Sequence, residues 1–396
     1  MVNIMEKNKF AWQLINDNIV QDDKDKLVEF ITTPDVRFTQ SKNVAAFEKE
    51  WSDWLGVKNT TYVNSGASAN WIMVSALKEM IGTGEIITSP FGWVSDIVPL
   101  LVHDFHPVFV DVNRQTMSID TDAFENAITK DTKAVLVTHI LGFNALTDKM
   151  LQIIKDNNLI LIEDCCESHG ATFNGKKVGT FGDMSNFSFY FGHHMTTIEG
   201  GTVCTNNDEI HDVVRMLRSH GMTREASPQT RQKYQEKYPH LNPLFTFAMP
   251  GYNMRSTEIN AVIGRNQLKR LDQNITIRQN NLDTWLDNLS QEKYQTKFRK
   301  EGSSNFSLPL ILNDSDPVLF EHVKTCLSQN DIEFRVGTAG GGNQIRQPYF
   351  EKYSGKYTTH TLSNLDHIHT YGLYLGNHTE VTEEQIITLC NTINEI

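Results

Sequence analysis

The sequence predicts an α/β protein: a mostly parallel mixed sheet flanked by helices, followed by a smaller α+β domain. Three observations predict it. Short apolar stretches of strand length alternate with helical ones from Thr60 to Asp164, which is how a chain writes a parallel sheet with helices on both faces. The last of these strands, Leu159-Ile-Leu-Ile-Glu-Asp164, is strongly apolar and ends in two carboxylates, and such sheets bind ligands at the C-terminal ends of their strands. From about residue 285 the texture changes to strand, helix, strand and a terminal helix. The expected division is 1–270 for the larger domain, with an N-terminal arm, and 271–396 for the smaller.

At 396 residues the chain can bury a large core and a second, smaller one. Its 39% hydrophobic content is that of an ordinary globular protein. The net charge of −12 argues against a nucleic-acid-binding face, while leaving room for a locally basic pocket. No apolar run approaches the roughly 18–20 residues of a membrane span, and the first residues, Met1 to Lys9, lack a secretory apolar core. The five cysteines, Cys165, Cys166, Cys204, Cys326 and Cys390, have no framework spacing. A reduced, cytoplasmic protein is expected.

In chain order, Asp22–Phe30 and Asn43–Leu55 read as helices, the second stopped by Gly56. Thr60–Val63 is a strand. Asn64-Ser-Gly-Ala-Ser-Ala-Asn70 then opens a helix through Leu77, and strand, small residues, helix is an arrangement that offers backbone N–H groups to a phosphate. A structural turn explains the spacing equally well. Glu85–Thr88, Pro107–Val110 and Thr132–Thr138 are strands; helices run from after Trp93 toward Leu101, over Asp120–Ile128 and over Leu146–Asn157. A lone tryptophan such as Trp93 is more often core than ligand platform. Phe173–Val178 reads as an exposed hairpin and Asp208–Ser219 as a helix, followed by a long irregular segment from His220 to Pro243. Pro250–Glu258 opens a long helix through Leu271 and beyond. Phe306–Leu312 and Ile332–Arg335 are strands, Pro317–Gln329 and Thr382–Ile393 helices. The glycine run Gly337-Thr-Ala-Gly-Gly-Gly342 has the look of a phosphate cradle, which on its own is a weak signal.

The stretch with the densest chemistry is Ser188-Phe-Tyr-Phe-Gly-His193-His194-Met-Thr-Thr-Ile-Glu199-Gly-Gly201. It sets a small hydroxyl, an imidazole pair, and then glycines where backbone can approach a ligand. Together with Pro250-Gly-Tyr-Asn253-Met-Arg255-Ser-Thr-Glu258, this stretch resembles the DegT/DnrJ/EryC1/StrS family of sugar aminotransferases, which use pyridoxal phosphate. The order of motifs is family-like over nearly the whole chain after residue 35 or so.

The resemblance implies the type I aminotransferase fold and a set of roles. Gly66, Ala67, Ser68 and Ser188 would hold the cofactor phosphate, Trp93 would stack on its ring, Asp164 would partner the ring nitrogen and Glu167 would flank the ring hydroxyl. Asn253 would reach the phosphate in a second subunit, making a homodimer with shared sites. His194, Arg255 and Arg335 are the expected substrate contacts, and no metal is expected. The family's lysine, six residues before the Glu of Glu-Gly-Gly, is replaced by His193. Imidazole cannot form the imine that a lysine forms, but it can serve as a base. The same exchange marks the family's 3-dehydratase branch. The resemblance therefore implies a lyase that uses pyridoxal 5'-phosphate or pyridoxamine 5'-phosphate non-covalently, with L-glutamate as amino donor. Its substrate would be a nucleotide-linked 4-keto-6-deoxyhexose, GDP-4-keto-6-deoxy-D-mannose in the nearest case, and its product a 4-keto-3,6-dideoxy sugar for surface polysaccharide. A 4-aminotransferase and a silent sugar-nucleotide-binding relative are the alternatives. The branch with an iron–sulfur cluster lacks support, because the cysteines are not grouped after Gly201.

Overall fold

Residues 12–396 are described in the computed structural model of the chain; residues 1–11, the start of the expected arm, lie outside them. The first helices, α1 (Gln21–Thr32) and α2 (Lys42–Leu55), precede the sheet. Helix α2 buries Val44, Phe47, Trp51 and Leu55, whose three- and four-residue spacing places them on one inward stripe. Strand and helix then alternate: β1 (Asn59–Val63), α3 (Gly66–Ile81), β2 (Glu85–Thr88), α4 (Val94–Val102), β3 (His106–Phe109) and the short pair β4 (Val112–Asn113) and β5 (Ser118–Ile119). Next come α5 (Thr121–Asn126), β6 (Thr132–Thr138), α6 (Asp148–Asp156), β7 (Ile160–Asp164), the hairpin β8 (Thr172–Phe173) and β9 (Lys176–Lys177), β10 (Met184–Ser188) and β11 (Gly201–Thr205). The remainder is α7 (Asp208–Arg218), α8 (Pro228–Lys237), α9 (Glu258–Leu268), α10 (Leu271–Asn288), β12 (Ser307–Ile311), α11 (Pro317–Gln329), β13 (Phe334–Val336), β14 (Thr358–Thr359), α12 (Ser363–Tyr371), β15 (Gly372–Gly376) and α13 (Glu383–Asn394).

The main sheet has the order β1-β11-β10-β7-β6-β2-β3-β14. The strands from β10 to β14 pair in parallel, and β11 runs antiparallel to both β10 and β1. Side chains alternate between the faces of a strand. Ile86, Leu136 and Ile162 therefore pack on one side with Ile72, Met73 and Leu77 of α3. Ile87, Val135, Val137 and Leu161 pack on the other with Phe124 and Met150. A second sheet, β12-β15-β13, is antiparallel. Its Leu308, Leu310 and Leu375 share a core with Trp285 of α10, Val323 of α11 and Leu389 of α13.

The structure corrects the sequence reading at three places. Within the segment expected to be irregular, Pro228–Lys237 forms helix α8, started by Ser227, whose Oγ accepts from Thr230 N, and by proline in the first turn. That helix buries nothing, so it carries no apolar period to read. The long helix expected through Leu271 is two helices, broken at Arg270, whose ψ is 2°. The glycine run is packing rather than a cradle. A Cβ on Gly340 would lie 2.1 Å from the Gly92 carbonyl oxygen, so only glycine permits that approach. Gln344 fastens the two segments, with its N donating to Pro90 O at 2.8 Å and its Nε2 to Gly92 O at 3.0 Å.

Candidate active site

Four element ends converge at the C-terminal side of β7 and β10. Helix α3 supplies the first. Its N-cap Ser65 accepts from Ser68 N through Oγ at 3.0 Å, which leaves the amides of Gly66 and Ala67 as first-turn donors with no helical acceptor. They sit at the positive end of a sixteen-residue helix. The end of β10 abuts that turn: a Cβ on Gly66 would fall 2.6 Å from Ser188 Cβ. Gly66, Ala67, Ser68 and Ser188 are thus brought into one corner suited to phosphate oxygens.

Asp164 ends β7, 3% exposed. Its Oδ2 accepts from Asn70 Nδ2 at 2.7 Å and Asn186 Nδ2 at 3.1 Å, and its Oδ1 from Cys166 N at 2.9 Å. Three donors thus converge on one buried carboxyl group. Neighbouring Glu163 points to the opposite face and accepts from the amides of Gly179, Phe181 and Gly182, so the second carboxylate of this strand is structural. His139, Glu163 and Cys165 cluster with metal-ligand chemistry. Both His139 ring nitrogens are already engaged, one with Ala145 N and one with Glu163, so the cluster is used by the fold. Three residues after Asp164, Glu167 Oε2 accepts from Leu141 N at 2.7 Å. Burial pushes its carboxyl up to about 8; the Leu141 amide opposes this and the charge of Asp164 adds to it.

Trp93 is the N-cap of α4 and 53% exposed, so it is a free aromatic face rather than core. One turn on, Asp96 is 3% exposed and accepts from the same Asn70 amide nitrogen at 3.0 Å.

His193 lies in a turn closed by its own N–H to Tyr190 O at 3.0 Å. Its ring is half-buried between Phe306, Tyr190 and His169, and its Nδ1 has no partner among the described residues. Burial pushes His193 down to about 4; Asp164 opposes the shift and the Arg278 guanidinium adds to it. At neutral pH the ring is an uncharged imidazole, ready to accept a proton. His194 does not take the substrate role expected of it. It is fully buried, with Nε2 bonded to Ser304 O at 2.9 Å. Adjacent residues of a turn point different ways, and here the second ring is turned into the core.

The remaining expected residues lie apart. Asn253 is exposed and accepts from Arg255 Nε at 3.0 Å. Arg255 lines a cavity of about 610 Å³ with Arg37, Arg215, Arg218 and Arg224. Exposed Arg335 sits opposite Tyr374 in the second sheet. Burial raises the Tyr374 phenol to about 12, with nearby Arg335 opposing the shift and Glu167 adding to it.

Sequence reading missed Asn70, Asn186, Asp96 and Arg278. Asn186 was legible in part, since it lies two residues before Ser188 and so on the same face of β10; its register partner is Asp164. Arg278 had no signal. It is a buried guanidinium on α10, lowered to about 10 by burial, and it bonds the Phe306 carbonyl at 3.1 Å.

The residues present fit the cofactor that the resemblance implies. There is an amide-rich corner for a phosphate, an aromatic face, a buried carboxylate for a ring nitrogen and an uncharged base. Neither of the two nearest lysines in sequence stands in for His193: Lys176 is exposed, and Lys177 donates to Trp54 O at 2.7 Å while lying over the Trp54 ring.

Comparison with known proteins agrees. The profile of the DegT/DnrJ/EryC1/StrS aminotransferase family matches residues 19–394. The chain is 32% identical over 364 residues to GDP-4-keto-6-deoxy-D-mannose 3-dehydratase of Yersinia pseudotuberculosis, covering 90% of this chain and 92% of that one. The solved structure of the E. coli GDP-4-keto-6-deoxy-D-mannose 3-dehydratase with bound hydrated pyridoxal phosphate superposes with a TM-score of 0.87 at 30% identity, over 97% of this chain and 99% of that one. A structure of GDP-4-keto-6-deoxymannose 3-dehydratase with a trapped pyridoxal phosphate–glutamate geminal diamine gives 0.85 at 29% identity, over 96% and 100%.

Proposed function

The chain belongs to the DegT/DnrJ/EryC1/StrS aminotransferase family, and from that premise we propose that it is a nucleotide-sugar 3-dehydratase dependent on pyridoxal phosphate and glutamate. The substrate favoured by its relatives is GDP-4-keto-6-deoxy-D-mannose, and the product is the corresponding 4-keto-3,6-dideoxy sugar. The observation that carries the reading is His193, an uncharged base at the position where the family's aminotransferases have lysine.

When bound, the cofactor supplies an exchangeable amine, loaded from glutamate, and a ring that takes up electrons. The amides of Gly66 and Ala67 and the hydroxyls of Ser68 and Ser188 hold the phosphate. Trp93 covers a ring face, and Asp164 keeps a proton at the ring nitrogen. Glu167, neutral below about pH 8, donates to the ring hydroxyl. His193 moves the proton: the imidazole accepts one and, as imidazolium, delivers one to the departing C3 hydroxyl, which leaves as water. Imidazole has no primary amine, so it cannot recapture the amino group as a lysine does, and transamination loses its partner.

Arg335 is assigned to an anionic group of the sugar nucleotide or of glutamate. The protein is read as a cytoplasmic homodimer in which Asn253 of one copy completes the phosphate corner of the other, with Arg255 beside it. This is supported by the exposure of Asn253 and by exposed Leu244, Phe245 and Phe247 nearby in sequence, each close to 60% accessible.

The test is a product assay with purified protein, pyridoxal phosphate, L-glutamate and GDP-4-keto-6-deoxy-D-mannose, following sugar mass, 2-oxoglutarate and ammonia together. The expected result is loss of the C3 oxygen with ammonia released. A stable amino sugar would make the protein an aminotransferase despite His193.

A further inference from the structure

Asp164 is not the only carboxyl group buried in this site. Asp96, in the first turn of α4, is equally inaccessible at 3% exposure. The two are joined by one side chain. Asn70 Nδ2 donates to Asp164 Oδ2 at 2.7 Å and to Asp96 Oδ1 at 3.0 Å. We propose that Asp96 and Asp164 form a carboxyl pair linked through the Asn70 amide, in which Asp96 is held as the neutral acid. Asp96 is then a positioning residue: it touches neither substrate nor cofactor but sets the orientation and charge of the group that does.

The neutral form of Asp96 follows from its surroundings. Asp164 receives three N–H groups, from Asn70, Asn186 and Cys166. Asp96 receives two donors, the Asn70 amide and the Thr138 hydroxyl at 3.1 Å. The ionisable groups facing Asp96 are Asp164 and Glu167 at the end of β7, the Cys166 thiol, and Tyr349 from the segment before β14. All are acids, so nothing in that set offsets a second negative charge. Two carboxyl groups so placed do not both ionise. Burial, with the charge of Asp164 next, raises Asp96 well above the ordinary carboxyl range. Its place on α4, three residues after Trp93, also ties the aromatic face to the ring-nitrogen partner: the Asp96–Asn70–Asp164 chain locks α4, α3 and β7 in one register.

The pair stands on the Asn70 link and on the buried, all-acid surroundings of Asp96; its bearing on the cofactor rests on the reading of Asp164 given above. Two measurements keep these apart. The first is the melting temperature of the full-length cofactor-free protein against pH, for the wild type, Asp96→Asn and Asp96→Ala. An acid harder to ionise in the folded chain than in the unfolded one costs stability as pH rises through and beyond the unfolded value near ~4. Asparagine reproduces the neutral acid, with a carbonyl for Asn70 and its amide nitrogen on the Thr138 side. Asp96→Asn is therefore expected to melt about 2 °C or more above the wild type at pH 7.5, with the gap closing toward pH 4.5. Asp96→Ala removes the acceptor of Thr138 and one of the two carboxyl acceptors of Asn70 and is expected to melt below the wild type at every pH. If Asp96→Asn melts lower than the wild type at pH 7.5, Asp96 is a charged acceptor and the pair is overturned.

The second measurement is the absorbance titration of added pyridoxal phosphate. Asp96→Asn is expected to bind it within about threefold of the wild type, and Asp96→Ala at least about tenfold more weakly, a factor of ten being the effect of roughly one lost hydrogen bond to a charged group. Equal binding by all three proteins, with the melting result as expected, would keep the pair and overturn Asp164 as the ring-nitrogen partner.

Discussion

His193 owes its readiness as a base to its surroundings rather than to its type. Burial is the larger influence, and the charge of Arg278 adds to it. The base must be neutral and Glu167 must be protonated, so the profile of kcat/KM against pH should be a bell. It rises as pH passes about 4, where His193 loses its proton, and falls as pH passes about 8, where Glu167 loses its own. Arg278→Met removes a positive charge, making the imidazolium easier to form, so the acid limb should move upward from about 4. Arg278→Lys keeps the charge and should leave the limb in place. An acid limb unmoved in the methionine variant would assign the limb to another group. At this scale the sequence revealed which side chain replaced the lysine, but not the guanidinium from α10 that tunes it, which lies eighty-five positions away.

At the scale of elements, the first helices are held by carboxylates that come from far along the chain. Glu258, the first residue of α9, accepts from the amides of Ser41, Asn43 and Val44, so it caps α2 where Ser41 makes no side-chain cap of its own. Glu258→Ala should cost about 3 kcal/mol in denaturant unfolding, the scale of losing buried bonds to a charged group; a loss under about 1 kcal/mol would mean that water replaces the cap. Asp23 plays a matching role at the α9–α10 break. Burial raises its carboxyl, but the hydrogen bonds from Arg270, then Asn266, outweigh this and hold it below the ordinary value. A depressed carboxyl stabilises the fold above the unfolded value of ~4, and that contribution is lost as pH falls through the folded value. Asp23→Asn should therefore lower the melting temperature at pH 7 and differ progressively less from the wild type as the medium is acidified below pH 4. The break itself was invisible in the helical period, because Arg270 is a good helix former; at the turn its side chain bonds Asp23 and the Asn18 carbonyl.

For the whole molecule, the homodimer reading makes a sharp numerical prediction. If Asn253 serves the other copy, Asp164→Ala and Asn253→Ala variants, each inactive alone, should complement when refolded together. Half of a random mixture is mixed dimer, and one of its two sites is intact. Activity should then recover to about a quarter of the wild type. No recovery despite mixed-dimer formation would put both residues in the same subunit's site.

What the sequence determined by itself was the local and the periodic. Most strands and helices with an apolar repeat were legible to within a few residues, α12 and the apolar β15 excepted, and so were the small-residue turn at Ser65–Ser68 and the histidine at the lysine position. What tertiary structure alone decided was which groups meet. The exposed face of Trp93, the full burial of His194 beside a half-buried His193, the packing use of Gly340 and the Asp96–Asn70–Asp164 chain all depend on contacts between residues far apart in sequence. A side chain's type is local information. Its burial, charge and partners belong to the three-dimensional arrangement, because desolvation and hydrogen bonding act through space and not along the chain.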